Sequence, residues 1–242
     1  GGTYSYAEWA HVIGIFQTLM FFHMDKKEDM RVLDVGCGTG FLAISSKALV
    51  GEKGSYVGID VMKNEIIFCR NHYPSYFDFI HHDANNPYYT SSQKSNNLKW
   101  PLESSSFDFL TSLSVWTHLN EKDALFYIKE VNRVLKPGGK AIITFFLLDE
   151  LYQKSLTMRS REIGRYHMTP SERWIFDQPA YDSKEWFYPK WAKVPERAIG
   201  VTKAGFKRLI LQGDLELVKH YQGNWKEVPG VFFQDILVLK KA

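Results

Sequence analysis

Residues 31–40 read Arg31-Val32-Leu33-Asp34-Val35-Gly36-Cys37-Gly38-Thr39-Gly40. Val32 to Val35 form a short strand with one acidic residue in it, and three glycines at alternate positions follow at once. Residues 41–50 then carry the apolar spacing of a helix. Strand, glycine turn and helix in that order predict the ligand-cradling corner of a doubly wound α/β sheet. Glycine serves this corner twice. It accepts positive φ in the tight turn, and without a Cβ it lets a ligand lie against the backbone.

The spacing narrows the ligand. A dinucleotide fingerprint is G-x-G-x-x-G with a diphosphate on the helix N-terminus, whereas this turn is G-x-G-x-G behind Asp34 and holds no lysine for a phosphate. The next strand, Ser55-Tyr56-Val57-Gly58-Ile59, ends at Asp60, where a carboxylate can accept both hydroxyls of a ribose. A third apolar run, 76–80, leads to Asp83-Ala84, where a carboxylate could accept an adenine amine. Further on, Val131-Asn132-Arg133-Val134-Leu135-Lys136-Pro137-Gly138-Gly139 predicts a helix stopped by Pro-Gly-Gly before a strand.

These segments, in this order, resemble the class I S-adenosylmethionine-dependent methyltransferases over residues 30–147, and the tail fits as well. The resemblance implies a Rossmann-like, doubly wound, seven-stranded and mostly parallel α/β sheet with an antiparallel last strand. It implies S-adenosylmethionine as cofactor and S-adenosylhomocysteine as product. It also implies cofactor contacts at Asp34, Gly36, Cys37, Gly38, Gly40, Asp60, Val61, Asp83, Ala84, Leu113 and Ser114. The Asn- or Asp-Pro-Pro-Tyr motif of the nucleic-acid and protein-amide branches is absent after the fourth strand. Ser114-Val115-Trp116-Thr117-His118 instead resembles the small-molecule and glycan branch, with Trp116 where phenylalanine is usual. In the tail, Gly223-Asn224-Trp225 and Gln234-Asp235 resemble a Gly-Ser-Trp … Gln-Asp pattern of bacterial glycan or natural-product methyltransferases.

Composition agrees with one α/β domain spanning 1–242. Hydrophobic residues are 45% and charged residues 24% of the 242 positions, which suits a full core. A net charge of +3 gives no argument for a nucleic-acid or membrane partner. Two cysteines, Cys37 and Cys69, suggest neither a disulfide framework nor a metal cluster, and point to a reducing, cytoplasmic setting. The apolar stretch 12–22 is too short to span a bilayer. Gly1-Gly2 without an initiating methionine reads as a cloning remnant or the cut end of an excised domain of a larger protein.

In chain order, a helix is expected over 5–23, capped by Ser5 with Glu8 three residues on. It places Tyr6, Trp9, Ala10, Ile13, Phe16, Gln17 and Met20 near one face, and beside the cleft it could bring Tyr4, Tyr6 or His23 to a ligand. The cofactor core is expected over 30–146, with helices at 41–50, 63–73 and 121–135 and a fifth strand at 140–146. The polar insertion 85–97, with Tyr88, Tyr89 and nearby Trp100, reads either as a surface loop or as one wall of the substrate cleft. Residues 147–195 are rich in tryptophan, tyrosine and proline without a clean period, and read as a lid after the fifth strand. The C-terminal part, 202–240, predicts a helix over 203–212, opened by Thr202 and stopped by Gly213, and strands at 215–221 and 232–239.

For the chemistry, His118 is the candidate general base, since an imidazole titrates near neutrality. The competing reading is that it caps the next helix or packs under the cofactor. Trp116 is placed nearer the acceptor. Arg161 and Arg165 share a face if their segment is helical, and with Tyr166 could clamp an acidic group on the acceptor; the alternative is a solvated face. His81 and His82 are adjacent on a strand and point to opposite faces, so no metal site is expected. The expected reaction is methyl transfer to a hydroxyl of a small-molecule, glycan or carrier-bound acceptor. N- or C-methylation and an inactive cofactor-binding scaffold are the alternatives.

Overall fold

The computed structural model describes residues 6–24, 29–89 and 97–242. Tyr4, Ser5 and positions 90–96 of the insertion lie outside them, and so does the Ser5 cap.

The strands β1 (Arg31–Val35), β2 (Ser55–Asp60), β4 (Phe107–Ser112) and β5 (Leu135–Leu148) are buried along most of their length. Strands of this kind need cover on both faces. Successive side chains supply it by pointing to opposite sides. Val32 joins Tyr56, Phe79 and Phe109 in one core, against α1 (Tyr6–His23), α2 (Phe41–Val50) and α3 (Lys63–His72). Leu33 joins Val57, Ile59 and Leu110 in a second core, against α4 (Glu121–Val134) and α5 (Lys203–Gln212). With β3 (Phe77–His81), β9 (Leu215–Tyr221) and β10 (Asp235–Lys241), the sheet runs β3-β2-β1-β4-β5-β10-β9. β10 is antiparallel to both neighbours, and the strands before it are parallel. This is the class I methyltransferase topology.

Three local expectations change. α1 buries Val12, Phe16, Leu19 and Met20, while Tyr6 and Ala10 face solvent, so its inner stripe is rotated from the expected one. Pro137-Gly138-Gly139 does not separate helix from strand. β5 starts at Leu135, which pairs with Phe107, and the ladder resumes at Phe109–Lys140 with a register shift between. Gly138 takes φ +76° inside that bulge. Residues 147–195, expected as a lid, are also more regular than their sequence suggests. Phe146–Leu148 of β5 extend beyond β4 and β10 and pair in parallel with β8 (Gly200–Thr202). β8 continues antiparallel to β7 (Trp186–Pro189), and β7 to β6 (Phe176–Pro179). A third apolar cluster of Phe146, Leu148, Tyr152, Phe176, Ala198 and Trp225 fastens this extension to the sheet. Among the described residues, no helix is long and apolar enough to cross a membrane.

Candidate active site

The glycine turn after β1 is where the parallel strands end, and its three glycines do different things. Gly36, Gly38 and Gly40 all take positive φ, at +72°, +51° and +86°. A Cβ on Gly36 would stand 2.2 Å from Val115 Cγ2, and one on Gly40 2.7 Å from the Tyr73 ring. A Cβ on Gly38 would meet nothing within 4 Å. Gly36 and Gly40 are therefore required by the protein's own packing, and Gly38 leaves a cradle that a side chain would fill. Cys37 and Cys69 are buried free thiols below the turn. Cys69 Sγ donates to the Gly38 carbonyl at 3.3 Å.

Asp60 ends β2 beside this turn. Its Oδ2 accepts from Gly38 N and its Oδ1 from Met62 N, both at 2.8 Å. Burial raises its pKa, against those backbone donors. The Val61 amide is a third backbone donor to it, and a carboxylate has about four acceptor sites, so the rest of its capacity is open to a ligand hydroxyl. Asp34 is placed differently. It is 1% exposed, and its oxygens accept from Tyr56 Oη at 2.7 Å and Thr111 Oγ1 at 2.9 Å. Burial lifts its carboxyl to about 7. It braces β1 against β2 and β4 beneath the turn. Val61 turns its carbonyl to His81 Nε2 at 3.2 Å, and Asp83 and Ala84 follow β3 on the same edge of the sheet. His82 instead faces Tyr127 Oη at 3.2 Å, with burial lowering its pKa to about 4, so the two histidines take separate partners.

After β4 the chain enters a polar corner. Ser114 adopts φ +60° next to the half-buried Leu113. The Ser114 amide donates to Thr144 Oγ1 at 2.7 Å, and the hydroxyls of Ser114 and Thr144 both donate to Gln234 Oε1, at 2.9 and 2.6 Å. Trp116 is 2% exposed, packed on Phe145, and its Nε1 has no partner among the described residues. Such a buried donor is costly unless a ligand satisfies it.

His118 sits in the one-turn helix Trp116–His118. Its Nδ1 is 2.6 Å from the Glu196 carbonyl and its Nε2 3.1 Å from Tyr89 Oη. A carbonyl can only accept, so Nδ1 carries the proton. Burial lowers the ring's pKa to about 4, so the imidazole is neutral and Nε2 offers a lone pair. Asn120, not His118, caps α4, accepting from Asp123 N at 3.1 Å. Asn86 ties the loop after β3 to this segment: its Nδ2 donates to the His118 carbonyl at 3.0 Å, and its Oδ1 accepts from Tyr88 N. Tyr88 stacks on the imidazole at 5.7 Å and 13°.

The structure does not assemble the other expected acceptor contacts. Tyr6 is 91% exposed on the first turn of α1. His23 bonds Tyr221 Oη at 2.8 Å. Arg161 and Arg165 are not on a helix. Their segment is a turn closed by an Ile163–Pro170 bridge, and the Arg161 side chain is 95% exposed. Arg165 lies over Tyr166 at 5.2 Å, so that pair is partnered with itself. Trp100 is core, stacked on Tyr127. Trp225 is fully buried, and its indole donates to Asp235 Oδ2 at 2.9 Å.

Sequence reasoning missed Glu196 and the full reach of Asp235. Glu196 is buried, with its carboxylate on Tyr181 Oη at 2.8 and 3.0 Å and on Asn120 Nδ2 at 3.2 Å. Asp235 also accepts from His220, the Gly223 and Leu147 amides and Lys226 Nζ, the last at 2.7 Å. Lys226 is itself fully buried and held by Asp149 as well. The polar pair Gln234-Asp235, flanked by apolar residues at a strand start, was the available signal for Asp235. Nothing local marked Glu196.

With the geometry in place, comparison with known proteins is decisive for the family. The sequence profile of the methyltransferase domain matches residues 26–187, about two thirds of the chain. The chain belongs to this family. This methyltransferase is 33% identical over 121 residues to the demethylmenaquinone methyltransferase of Staphylococcus aureus, covering 49% of this chain and 44% of that one. The Bacillus cereus enzyme of the same name is 31% identical over 123 residues, with 49% and 46% covered. The match thus spans under half the length of these relatives. Among solved structures, a SAM-dependent methyltransferase from Methanosarcina mazei superimposes with a TM-score of 0.59 at 20% identity, covering 92% of this chain and 96% of that one. Magnesium protoporphyrin IX methyltransferase from Synechocystis, with S-adenosylhomocysteine bound, gives 0.57 at 12% identity, over 100% and 90%. At these identities the structures establish the fold. Class I methyltransferases use S-adenosylmethionine, and the open cradle at Gly38, the spare acceptor capacity of Asp60 and the phosphate-free turn suit that cofactor.

Proposed function

We propose that this methyltransferase transfers a methyl group to a hydroxyl of a small-molecule acceptor, with His118 as general base. The observation that carries this is the state of His118: neutral, with Nδ1–H held by the Glu196 carbonyl and Nε2 left as the accepting nitrogen, which takes the Tyr89 hydroxyl. S-adenosylmethionine supplies an electrophilic methyl on a cationic sulfur. The residues of the chain have three tasks. The cradle at Gly38 and the carboxylate of Asp60 hold the nucleoside and amino-acid parts, with Val61, Asp83, Ala84, Leu113 and Ser114 completing that wall. Gly36, Cys37, Gly40 and Asp34 keep the turn in shape from below. The aromatic groups on the acceptor side fix the nucleophile about 3 Å from the methyl carbon, and Trp116 Nε1 is available as a donor there.

A second reading is C-methylation of an aromatic ring activated by its own hydroxyl. The relatives' name, demethylmenaquinone methyltransferase, favours it. A base that takes a phenolic proton serves both outcomes. Sugar and carrier-bound hydroxyls remain in the same class of acceptor. We read residues 1–242 as one domain with a lid at 147–195. The two free thiols suit a cytoplasmic setting, and the small net charge does not call for nucleic acid.

The test is a screen with methyl-labelled S-adenosylmethionine against naphthohydroquinones, phenols, sugars and amines, with product structures determined. Label on oxygen of any of these, lost in His118→Gln, is the expected result. Label only on nitrogen, with His118→Gln fully active, would overturn it.

A further inference from the structure

Both ring nitrogens of His118 are already engaged. Nδ1 donates to the Glu196 carbonyl at 2.6 Å, which forces Nε2 to accept, and the group it accepts from is Tyr89 Oη at 3.1 Å. His118 is largely covered, whereas Tyr89 is 37% exposed. An acceptor therefore meets the phenol of Tyr89 before it meets the imidazole.

The position of Tyr89 is built. Asn86 is 8% exposed, and its Oδ1 accepts from the amides of Tyr88 and Tyr89 at 3.0 and 3.3 Å. Its Nδ2 holds the His118 carbonyl at 3.0 Å. The Tyr89 ring stands edge-on to the imidazole at 5.1 Å, and Tyr88 lies flat on it. The loop after β3 thus meets the segment after β4, and between them in the sheet lie β2 and β1, which carry Asp60 and the glycine turn. The charge of Asp60 and the neighbouring Tyr88, behind burial, help push the Tyr89 phenol above its ordinary pKa.

We propose that Tyr89 is the catalytic residue that touches the acceptor hydroxyl, and that His118 acts through it. The step is a two-proton relay, and it rests on the reading of His118 as base. The acceptor oxygen forms its bond to the methyl carbon as the carbon–sulfur bond breaks, and that electron pair stays on sulfur as a neutral thioether. The acceptor proton passes to Tyr89 Oη while the Tyr89 proton passes to His118 Nε2. The imidazolium that results keeps Nδ1–H on the Glu196 carbonyl and has the Tyr88 ring against its face, a favourable place for a cation. Glu196 is the positioning residue of the relay: Tyr181 and Asn120 hold its carboxylate, so its carbonyl cannot swing from Nδ1.

The test has an acceptor-free arm and a kinetic arm. Nitrogen-15 NMR of the full chain at pH 7 is expected to show His118 protonated at Nδ1 and bare at Nε2. A proton on Nε2 would overturn the relay, because Tyr89 would then accept from the ring. For kinetics the probe is a reduced 2-alkyl-1,4-naphthoquinone with labelled S-adenosylmethionine. Tyr89→Phe and His118→Gln should each lower kcat by roughly 100-fold or more, with cofactor affinity unchanged and the double variant no slower than the slower single. In H2O–D2O mixtures the wild-type rate should bow as two protons move together, and the Tyr89→Phe residue of activity should fall linearly. Full activity in Tyr89→Phe with His118→Gln inactive would remove the relay and leave the base. Full activity in both would remove the base as well, and a wild type that leaves this hydroquinone unmethylated with Nε2 protonated removes the relay alone.

Discussion

The part of the molecule we assign to the cofactor and the part we assign to the acceptor are built by different means. In the first, the chemically useful groups sit at or just beyond the ends of adjacent strands, and part of what holds them is local in sequence. Asp60 ends β2 and bonds the amide of Met62, two residues on, and the glycine turn begins where β1 stops. In the second, groups are held by partners far along the chain. Glu196 grips Asn120 and His118, and Asp235 gathers Leu147, His220, Gly223, Trp225 and Lys226. A local turn survives substitution around it, whereas a hub fails all at once. That contrast can be broken experimentally.

The largest effect belongs to the hub. Asp235→Ala leaves the buried Lys226 with one carboxylate fewer and strands the Trp225 indole, and removing one partner of a buried ion pair costs about 3–5 kcal/mol. Thermal unfolding should show a drop of about 10 °C or more for a chain of this size. A melting point near wild type would mean the hub does not secure the segment after β5. Next come the two glycines. Gly36→Val should unfold or aggregate, because its Cβ has no room against Val115, while Gly38→Val should melt with only the loss expected of a positive φ and yet bind no cofactor. Equal behaviour of the two variants in parallel melting and binding assays would erase the distinction between packing glycine and cradle glycine.

Asp60→Ala is intermediate. It removes a charged acceptor from a ligand hydroxyl, at about 1.5–3 kcal/mol per bond, so calorimetry should record a loss of roughly tenfold or more in affinity for S-adenosylmethionine. Arg161→Ala marks the other end of the scale. The side chain is 95% exposed, so stability should stay within about 0.5 kcal/mol and turnover should not change. A drop in acceptor affinity there would restore the guanidinium clamp.

The pH dependence of stability separates the halves by sign. His82 and His118 have folded pKa values of about 4, below the ordinary 6.5. Above pH 6.5 neither state is protonated, and as pH falls from 6.5 towards 4 the unfolded chain takes up protons that the folded chain refuses, so stability falls. Asp34, raised to about 7, works the other way: its contribution is full below pH 3.8 and is lost as pH rises through 7. Asp34→Asn should therefore be better tolerated at pH 8 than at pH 5, and His82→Gln should lessen the acid loss. Melting curves across pH 4–8 read both.

The same division explains what could be read in advance. Asp60 at a strand end and the glycine turn follow from short patterns whose geometry is fixed within a few residues, whereas the antiparallel last strand was implied by the family resemblance. The lid offers no such pattern. A helical face for Arg161 and Arg165 assumed a period that the bridged turn at Ile163–Pro170 does not have. Trp225 and Asp235 were visible as residues but not as partners, since the bond between them forms only when β10 meets β5. Asp34 carried the right chemistry for a cofactor contact, and only the placement of Tyr56 and Thr111 shows how fully its oxygens are used.

The most direct test of the account is calorimetric titration of S-adenosylmethionine into the wild-type chain, with NAD in parallel. Binding of the first with a dissociation constant on the order of micromolar, and none of the second, is the predicted result. No heat with S-adenosylmethionine, or equal binding of NAD, would contradict the assignment of the glycine turn and Asp60 to this cofactor.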